Sequence, residues 1–160
     1  MNFSNKDGGK IIFELIKTIQ DKKDFLSEVD GKIGDGDHGI NMNKGFTMTY
    51  CKVNGKDYDM TTAFSVLGDT LLEDIGGSMG PLYGAFFDGL SEASEDHDVI
   101  DKKTFQKMIH TALEAIQDIG NAKRGDKTLL DTLIPAVEAY DAALEAGKDF
   151  NLISYILGAN

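Results

Sequence analysis

Cysteine is nearly absent. Cys51 stands alone in 160 residues, so no intrachain disulfide can form and a reducing compartment is the default. Basic charge is also scarce: 16 Lys and Arg against 27 Asp and Glu leave a formal charge of −11. Nucleic acid and anionic membranes both require a basic surface, so neither is an expected partner. No apolar run of signal-peptide length opens the chain, and none approaches the roughly 18 uninterrupted apolar residues of a membrane span. The expected location is therefore cytoplasmic. No stretch alternates with period two long enough to make a strand, and there is no internal repeat or low-complexity linker. What remains is ordinary for a soluble globular protein, 41% hydrophobic and 27% charged, and long enough for one domain spanning 1–160 with its own core.

Apolar residues recur at helical spacing along most of the chain. Ile11, Ile12, Leu15, Ile16 and Ile19 mark one face of a helix over 8–22, continued by Phe25, Leu26 and Val29. A second helix over about 39–53 buries Met42, Phe46, Thr49 and Val53. A third runs from an N-cap at Thr61 or Thr62 to Ile75. The Gly76 to Pro81 break follows, with Pro81 suited to the first position of the fourth helix. That helix carries Leu82, Phe86, Phe87 and Leu90 and yields to an acidic segment, Ser91 to Asp98. A fifth helix over 101–119 and a sixth carrying Leu129 to Leu144 come next, and Leu152 to Leu157 begin a seventh. His97 and His110 fall outside these apolar stripes and read as surface residues. The fold class is all-α, and short connections favour an up-and-down antiparallel bundle.

The most informative stretch is Asp30 to Asn43, Asp-Gly-Lys-Ile-Gly-Asp-Gly-Asp-His-Gly-Ile-Asn-Met-Asn. Asp30, Asp35 and Asp37 alternate with glycines that let the backbone fold sharply and bring like charges together, an arrangement that calls for a cation. Hard oxygen ligands with one His and no Cys nearby favour Mg²⁺ or Ca²⁺. An EF-hand is excluded, because the twelfth residue counted from Asp30 or from Asp35 is Asn41 or Phe46 rather than Glu. Immediately after the carboxylates a helix opens at His38-Gly39, and a helix N-terminus beside a cation suits a polyphosphate.

Two more helices begin after Gly-rich breaks, near Gly80 and Gly125, with Ser78 and Asp126 as candidate caps. In an antiparallel bundle the second, fourth and sixth helices start at the same end, so the three breaks cluster there and each offers unpaired N–H donors. Residues 120–128 are not a Walker loop, because Asp126 interrupts Gly125 and Lys127 and a helix precedes them.

Four stretches, Gly34 to Asn43, Gly76 to Gly84, Gly125-Asp126-Lys127-Thr128 and the helix containing Pro135, resemble the ADP-binding L subunit of phosphoenolpyruvate-dependent dihydroxyacetone kinase, over essentially the whole chain. The resemblance implies a barrel of eight antiparallel helices with two Mg²⁺ ions on Asp30, Asp35 and Asp37. It implies ADP or ATP held by His38, Gly39, Ile40 and Asn41, by Ser78 and Met79, and around the base by Gly120 and Leu129. Phosphoryl would pass from a phosphocarrier M subunit, through the bound nucleotide, to dihydroxyacetone on a separate K subunit, with no nucleophile supplied by this chain. His38 then reads as a hydrogen-bond donor to phosphate. Two departures stand out: Met79 occupies the place of the family's usual Ser, and the family's C-terminal Arg-containing segment, Asp-Pro-Gly turn and last helix are not in this sequence, so about seven helices are expected. Two alternatives stay open, a shortened non-catalytic regulatory homologue and the nucleotide domain of an ATP-dependent dihydroxyacetone-type kinase.

Overall fold

The computed structural model describes residues 2–149. Six helices of 15 to 20 residues account for most of it. A four-residue turn of helix, α1 (Asn5–Gly8), precedes α2 (Ile11–Asp30), α3 (His38–Val53), α4 (Met60–Asp74), α5 (Met79–Ser94), α6 (Lys102–Ile119) and α7 (Leu130–Glu145). Each long helix packs chiefly on a neighbour in sequence, and every consecutive pair from α2 and α3 through to α6 and α7 is in contact, which is the up-and-down connectivity that short loops favour. The all-α expectation holds. The apolar piece at Leu152 to Leu157, expected to start a further helix, lies outside the described residues.

The buried faces follow the apolar stripes. Ile12 and Ile16 of α2, Met42 and Phe46 of α3, Leu67 and Leu71 of α4, Phe87 and Leu90 of α5, Met108 and Ala112 of α6, and Val137 and Tyr140 of α7 share one core. Within it Phe87 packs edge-on to Phe46 and Phe86. Tyr140 is fully buried, and its hydroxyl donates to the Lys102 carbonyl at 2.8 Å, so the polar tip of a large core residue also ties α7 to the start of α6. An apolar cavity of about 280 Å³ lies between α2, α3, α5 and α7, walled by Leu15, Ile19, Phe46, Tyr83 and Leu133 among others.

Several boundaries differ from the pattern-based expectation, each for a local reason. Asp59, not Thr61 or Thr62, caps α4: its carboxylate accepts from the Thr62 N–H at 2.7 Å. Thr61 is committed elsewhere, to a polar cluster in which Asn5 donates to Thr61 Oγ1 at 2.8 Å and Ser91 Oγ donates to the Thr61 carbonyl at 2.9 Å. That cluster explains why α5 continues through Ser94 instead of stopping near Leu90, since Ser91 and Ser94 are buried against it despite their polarity. Asn5 also donates to the His97 backbone carbonyl at 2.9 Å, and His97 is half-buried rather than exposed. Phe3–Ser4 (β1) and Val99–Ile100 (β2) pair antiparallel alongside, a bridge too short to be seen as alternation. Pro81 is the third residue of α5, where its missing N–H is equally harmless.

Candidate functional site

The acidic loop begins where α2 ends. Asp30 is the last residue of α2, and its Oδ2 turns forward to accept the Gly36 N–H at 2.9 Å and the His38 N–H at 3.4 Å, closing residues 31–37 into a compact loop. Asp35 Oδ1 accepts from the Asp37 N–H at 3.3 Å, and Asp37 Oδ2 accepts from the Asn41 side-chain amide at 2.7 Å. The outcome is that one carboxylate oxygen from each of Asp30, Asp35 and Asp37 lies within 4.8 Å of the others. Among the described residues no Lys, Arg or His forms an ion pair with any of the three. Three like charges at that spacing repel, and a bound divalent cation would remove the repulsion while using the free oxygen lone pairs.

Two glycines make this geometry possible. A Cβ on Gly34 would collide with Asp30 Oδ1, so the loop can wrap the carboxylate only without a side chain there. At Gly39 a Cβ would run into the Lys23 carbonyl of α2, and the missing side chain lets the start of α3 press directly on the last two turns of α2. Gly39 is therefore buried between helices, and what it can offer a ligand is its backbone N–H. The N–H groups of Gly39 and Ile40 make no hydrogen bond among the described residues, since the first bond of α3 is from Asn41 to the Asp37 carbonyl, 2.9 Å. Ile40 itself is 55% exposed. These two donors, beside the carboxylates, are what the start of α3 could offer an anion.

His38 is half-buried, its ring edge-on to Tyr83 at 6.0 Å between centroids. Tyr83 sits in the second turn of α5, so this contact joins the starts of two helices as the alternating topology requires. Its burial pushes the Tyr83 hydroxyl above the ordinary phenol range, so it stays protonated. The α5 start presents Ser78, which is exposed and makes no side-chain cap bond, followed by Met79, whose side chain packs on the core. The Met79 and Gly80 N–H groups are unpaired among the described residues, the first bond of this helix being from Leu82 to the Ser78 carbonyl.

A second cavity, of about 360 Å³ and almost wholly apolar, brings together residues that are far apart in sequence: Ser78 and Leu82 from α5, Ile116 and Gly120 from the end of α6, and Leu129 and Leu130 at the start of α7. Leu129 lines this cavity and the inner one alike, so it stands between them. Gly120 is the extended residue that ends α6. The α7 start differs from the other two. Asp126 does not cap it but accepts from the Lys123 N–H at 2.8 Å, while Asp131 takes the Thr128 N–H and Thr128 Oγ1 the Leu130 N–H, which leaves the Leu129 N–H as the one donor there without a bond among the described residues. Its contribution is chiefly an apolar wall, with one free donor against two at each of the other starts, so the three starts are not equivalent.

The sequence-based site residues thus fall into two groups. Asp30, Asp35, Asp37, His38, Gly39, Ile40 and Asn41 converge on one loop, and Ser78, Gly120 and Leu129 converge on one cavity, with Met79 next to it. Asn41 turns out to orient Asp37 through its side chain. Tyr83 and Asp131 were missed by pattern reading. Nothing local marks Tyr83, whereas Thr128-x-x-Asp131 is a capping-box spacing that was there to be read.

Residues 32–154 match the DAK2 domain. The ADP-binding subunit DhaL of PEP-dependent dihydroxyacetone kinase 1 from Listeria innocua is 37% identical over 142 residues, covering 82% of this chain and 71% of that protein. The corresponding subunit from Escherichia coli is 34% identical over 119 residues, 74% of this chain and 57% of that protein. An L-erythrulose kinase from Pectobacterium atrosepticum is 31% identical over 125 residues, which is 76% of this chain but 21% of that longer protein. The chain accordingly spans between 57% and 71% of the length of these two DhaL subunits. With the domain matched over most of its length and a relative at 37% identity, the chain belongs to the DAK2 domain family.

Proposed function

We propose that this chain is an ADP-binding subunit of a phosphoenolpyruvate-dependent dihydroxyacetone kinase. The observation that carries the reading is the convergence of Asp30, Asp35 and Asp37 within 4.8 Å beside the free N–H groups of α3. Those carboxylates would hold Mg²⁺, two ions by the family resemblance, and divalent ions supply charge neutralisation of the phosphates and a template for in-line displacement. The N–H groups of Gly39, Ile40, Met79 and Gly80 are preorganised donors for phosphate oxygens, and preorganised donors serve phosphoryl transfer better than a flexible side chain would. His38, held by Tyr83 at the helix start, donates to phosphate and is not a nucleophile. The apolar cavity with Ser78, Gly120 and Leu129 on its walls suits a planar base, which fixes the nucleotide at the end away from the metals.

In this reading the bound nucleotide is the intermediate carrier. A phosphocarrier subunit would donate a phosphoryl group to ADP in place, and the γ-phosphoryl of the resulting ATP would pass to a hydroxyl of dihydroxyacetone on a separate K subunit, regenerating ADP; this chain would position the phosphates and hold the neutralising metals throughout. The net charge of −11 does not oppose nucleotide binding decisively, because the metals and helix ends act at short range and the global field is screened beyond about 8–10 Å. A second reading draws on the L-erythrulose kinase match, in which a domain like this one makes up a fifth of a longer kinase; there the nucleotide would exchange freely.

Retention separates the two. The protein is purified in Mg²⁺, passed through gel filtration, denatured, and the released nucleotide measured by chromatography. Near-stoichiometric ADP, lost on prior treatment with a chelator, is the expected result. Folded protein that carries no nucleotide and exchanges added ATP rapidly would favour the second reading. Folded protein that binds neither ADP nor ATP in Mg²⁺ would sink both.

A further inference from the structure

The segment between α6 and α7 walls the apolar cavity but has little regular structure to hold it. Residues 123–128 are exposed, and two of them, Gly125 (φ +100) and Lys127 (φ +60), are left-handed. For Lys127 that conformation is uncommon and persists only where neighbouring bonds enforce it. The bonds come from Asp131, in the first turn of α7. Its Oδ2 accepts the Thr128 N–H at 2.9 Å while Thr128 Oγ1 accepts the Leu130 N–H at 3.2 Å, a reciprocal cap. A cap needs only one carboxylate oxygen. The other, Oδ1, reaches back beyond the cap to the Gly125 N–H at 2.6 Å. These N–H bonds, from Gly125 and Thr128 first, hold the Asp131 carboxyl below the usual carboxylate range, so it is ionised and accepting throughout the neutral region. Between the two anchor points runs the left-handed turn that delivers Thr128, Leu129 and Leu130 to the cavity wall.

We propose that Asp131 is the positioning residue for the nucleotide base: by clamping the Gly125 and Thr128 N–H groups on its two oxygens, it sets the wall formed by Thr128, Leu129 and Leu130 in its receiving shape. The proposal rests on the reading of this cavity as the base site. Asp131 lies on α7, whereas the carboxylate cluster and the free helix-start donors belong to α3, α5 and the loop after α2. Its effect is therefore on the base and not on the phosphates or metal.

The test uses the full 160-residue chain, with MgADP and magnesium pyrophosphate each titrated calorimetrically into wild type, Asp131→Ala and Asp131→Asn. Pyrophosphate has the phosphates and no base. Asp131→Ala is expected to weaken MgADP by about fivefold to tenfold, the usual size of a lost cap, and to leave magnesium pyrophosphate unchanged. Asp131→Asn keeps one acceptor oxygen and should fall between; it also carries the test alone if the alanine variant fails to fold by circular dichroism. Equal weakening of both ligands would show a merely structural role and overturn the proposal, as would unchanged MgADP affinity. Wild-type protein that binds magnesium pyrophosphate but gains nothing from the adenosine part would overturn the base-site reading itself, and that result appears before any variant is made.

Discussion

The loop after α2 and the loop before α7 use one device in opposite directions. Asp30, at the C-terminal end of a helix, sends its carboxylate forward to collect the N–H groups of Gly36 and His38; Asp131, near the N-terminal end of another, sends its carboxylate back to collect those of Gly125 and Thr128. Both therefore order a glycine-containing loop by charge-assisted hydrogen bonds, which are about twice as strong as neutral ones. They differ in what is left over. The Asp30 carboxylate also joins Asp35 and Asp37 in a cluster with no cation among the described residues to pair it, whereas both Asp131 oxygens are consumed by backbone. A carboxylate that is fully spent on its own loop can only position that loop. One that also stands within 4.8 Å of two other carboxylates is a candidate binding group.

The largest effect is expected from breaking the acidic loop. Replacing Asp35 and Asp37 together with Asn should reduce Mg²⁺-dependent ADP retention by at least about a hundredfold. In chelator the same double variant should melt no lower than wild type, because the mutual repulsion of the cluster is gone; a clear loss of stability there would mean the carboxylates are structural. Gly39→Val attacks the scaffold beneath the loop. Its side chain would strike the Lys23 carbonyl, and the expected destabilisation is about 1–3 kcal/mol in urea unfolding, with unaltered stability refuting the close helix contact.

A finer distinction comes from Asn41→Ala. Its amide orients Asp37 without touching a metal directly, so Mn²⁺ affinity measured by electron paramagnetic resonance should fall by about tenfold while the melting temperature barely moves. The smallest effect concerns the seat of the other loop. His110 and Gln106 of α6 both bond Asp141 of α7, His110 at 2.9 Å and Gln106 at 2.6 Å, so His110 is a tether rather than the bystander its sequence position suggested. Burial raises the Asp141 carboxyl, but these side-chain bonds outweigh it and hold the group below its ordinary value. A depressed folded-state value means that this contribution is complete above pH of about 4 and is lost as pH falls below it. The pair is partly exposed, so His110→Ala should cost under about 1 kcal/mol at neutral pH and should flatten the acid limb of a stability profile.

Much of the acidic loop was legible in the chain itself. Alternating Asp and Gly over 30–39 followed by an apolar period of three to four dictates a sharp turn, a charge cluster and a helix start, all within a dozen residues, so the relevant interactions are local. The same is true of the long helices, whose stripes reappear as the core. The end of α5 was misread for the opposite reason. Ser91 and Ser94 look like solvent-facing residues until Thr61, itself held by Asn5, arrives from a distant part of the chain to bond their hydroxyls, and β1 with β2 completes that clasp through residues nearly a hundred positions apart.

Local pattern by itself thus determined the helices, the all-α class and the acidic loop, because backbone propensity, apolar period and glycine spacing act between residues near in sequence. Only the tertiary structure decided which helix starts remain open to a ligand and which are spent on caps. It alone joined Ser78, Gly120 and Leu129 around one cavity and set Tyr83 against His38. Those relations depend on how whole helices settle against one another to bury their apolar faces, a global balance that no short window of sequence contains.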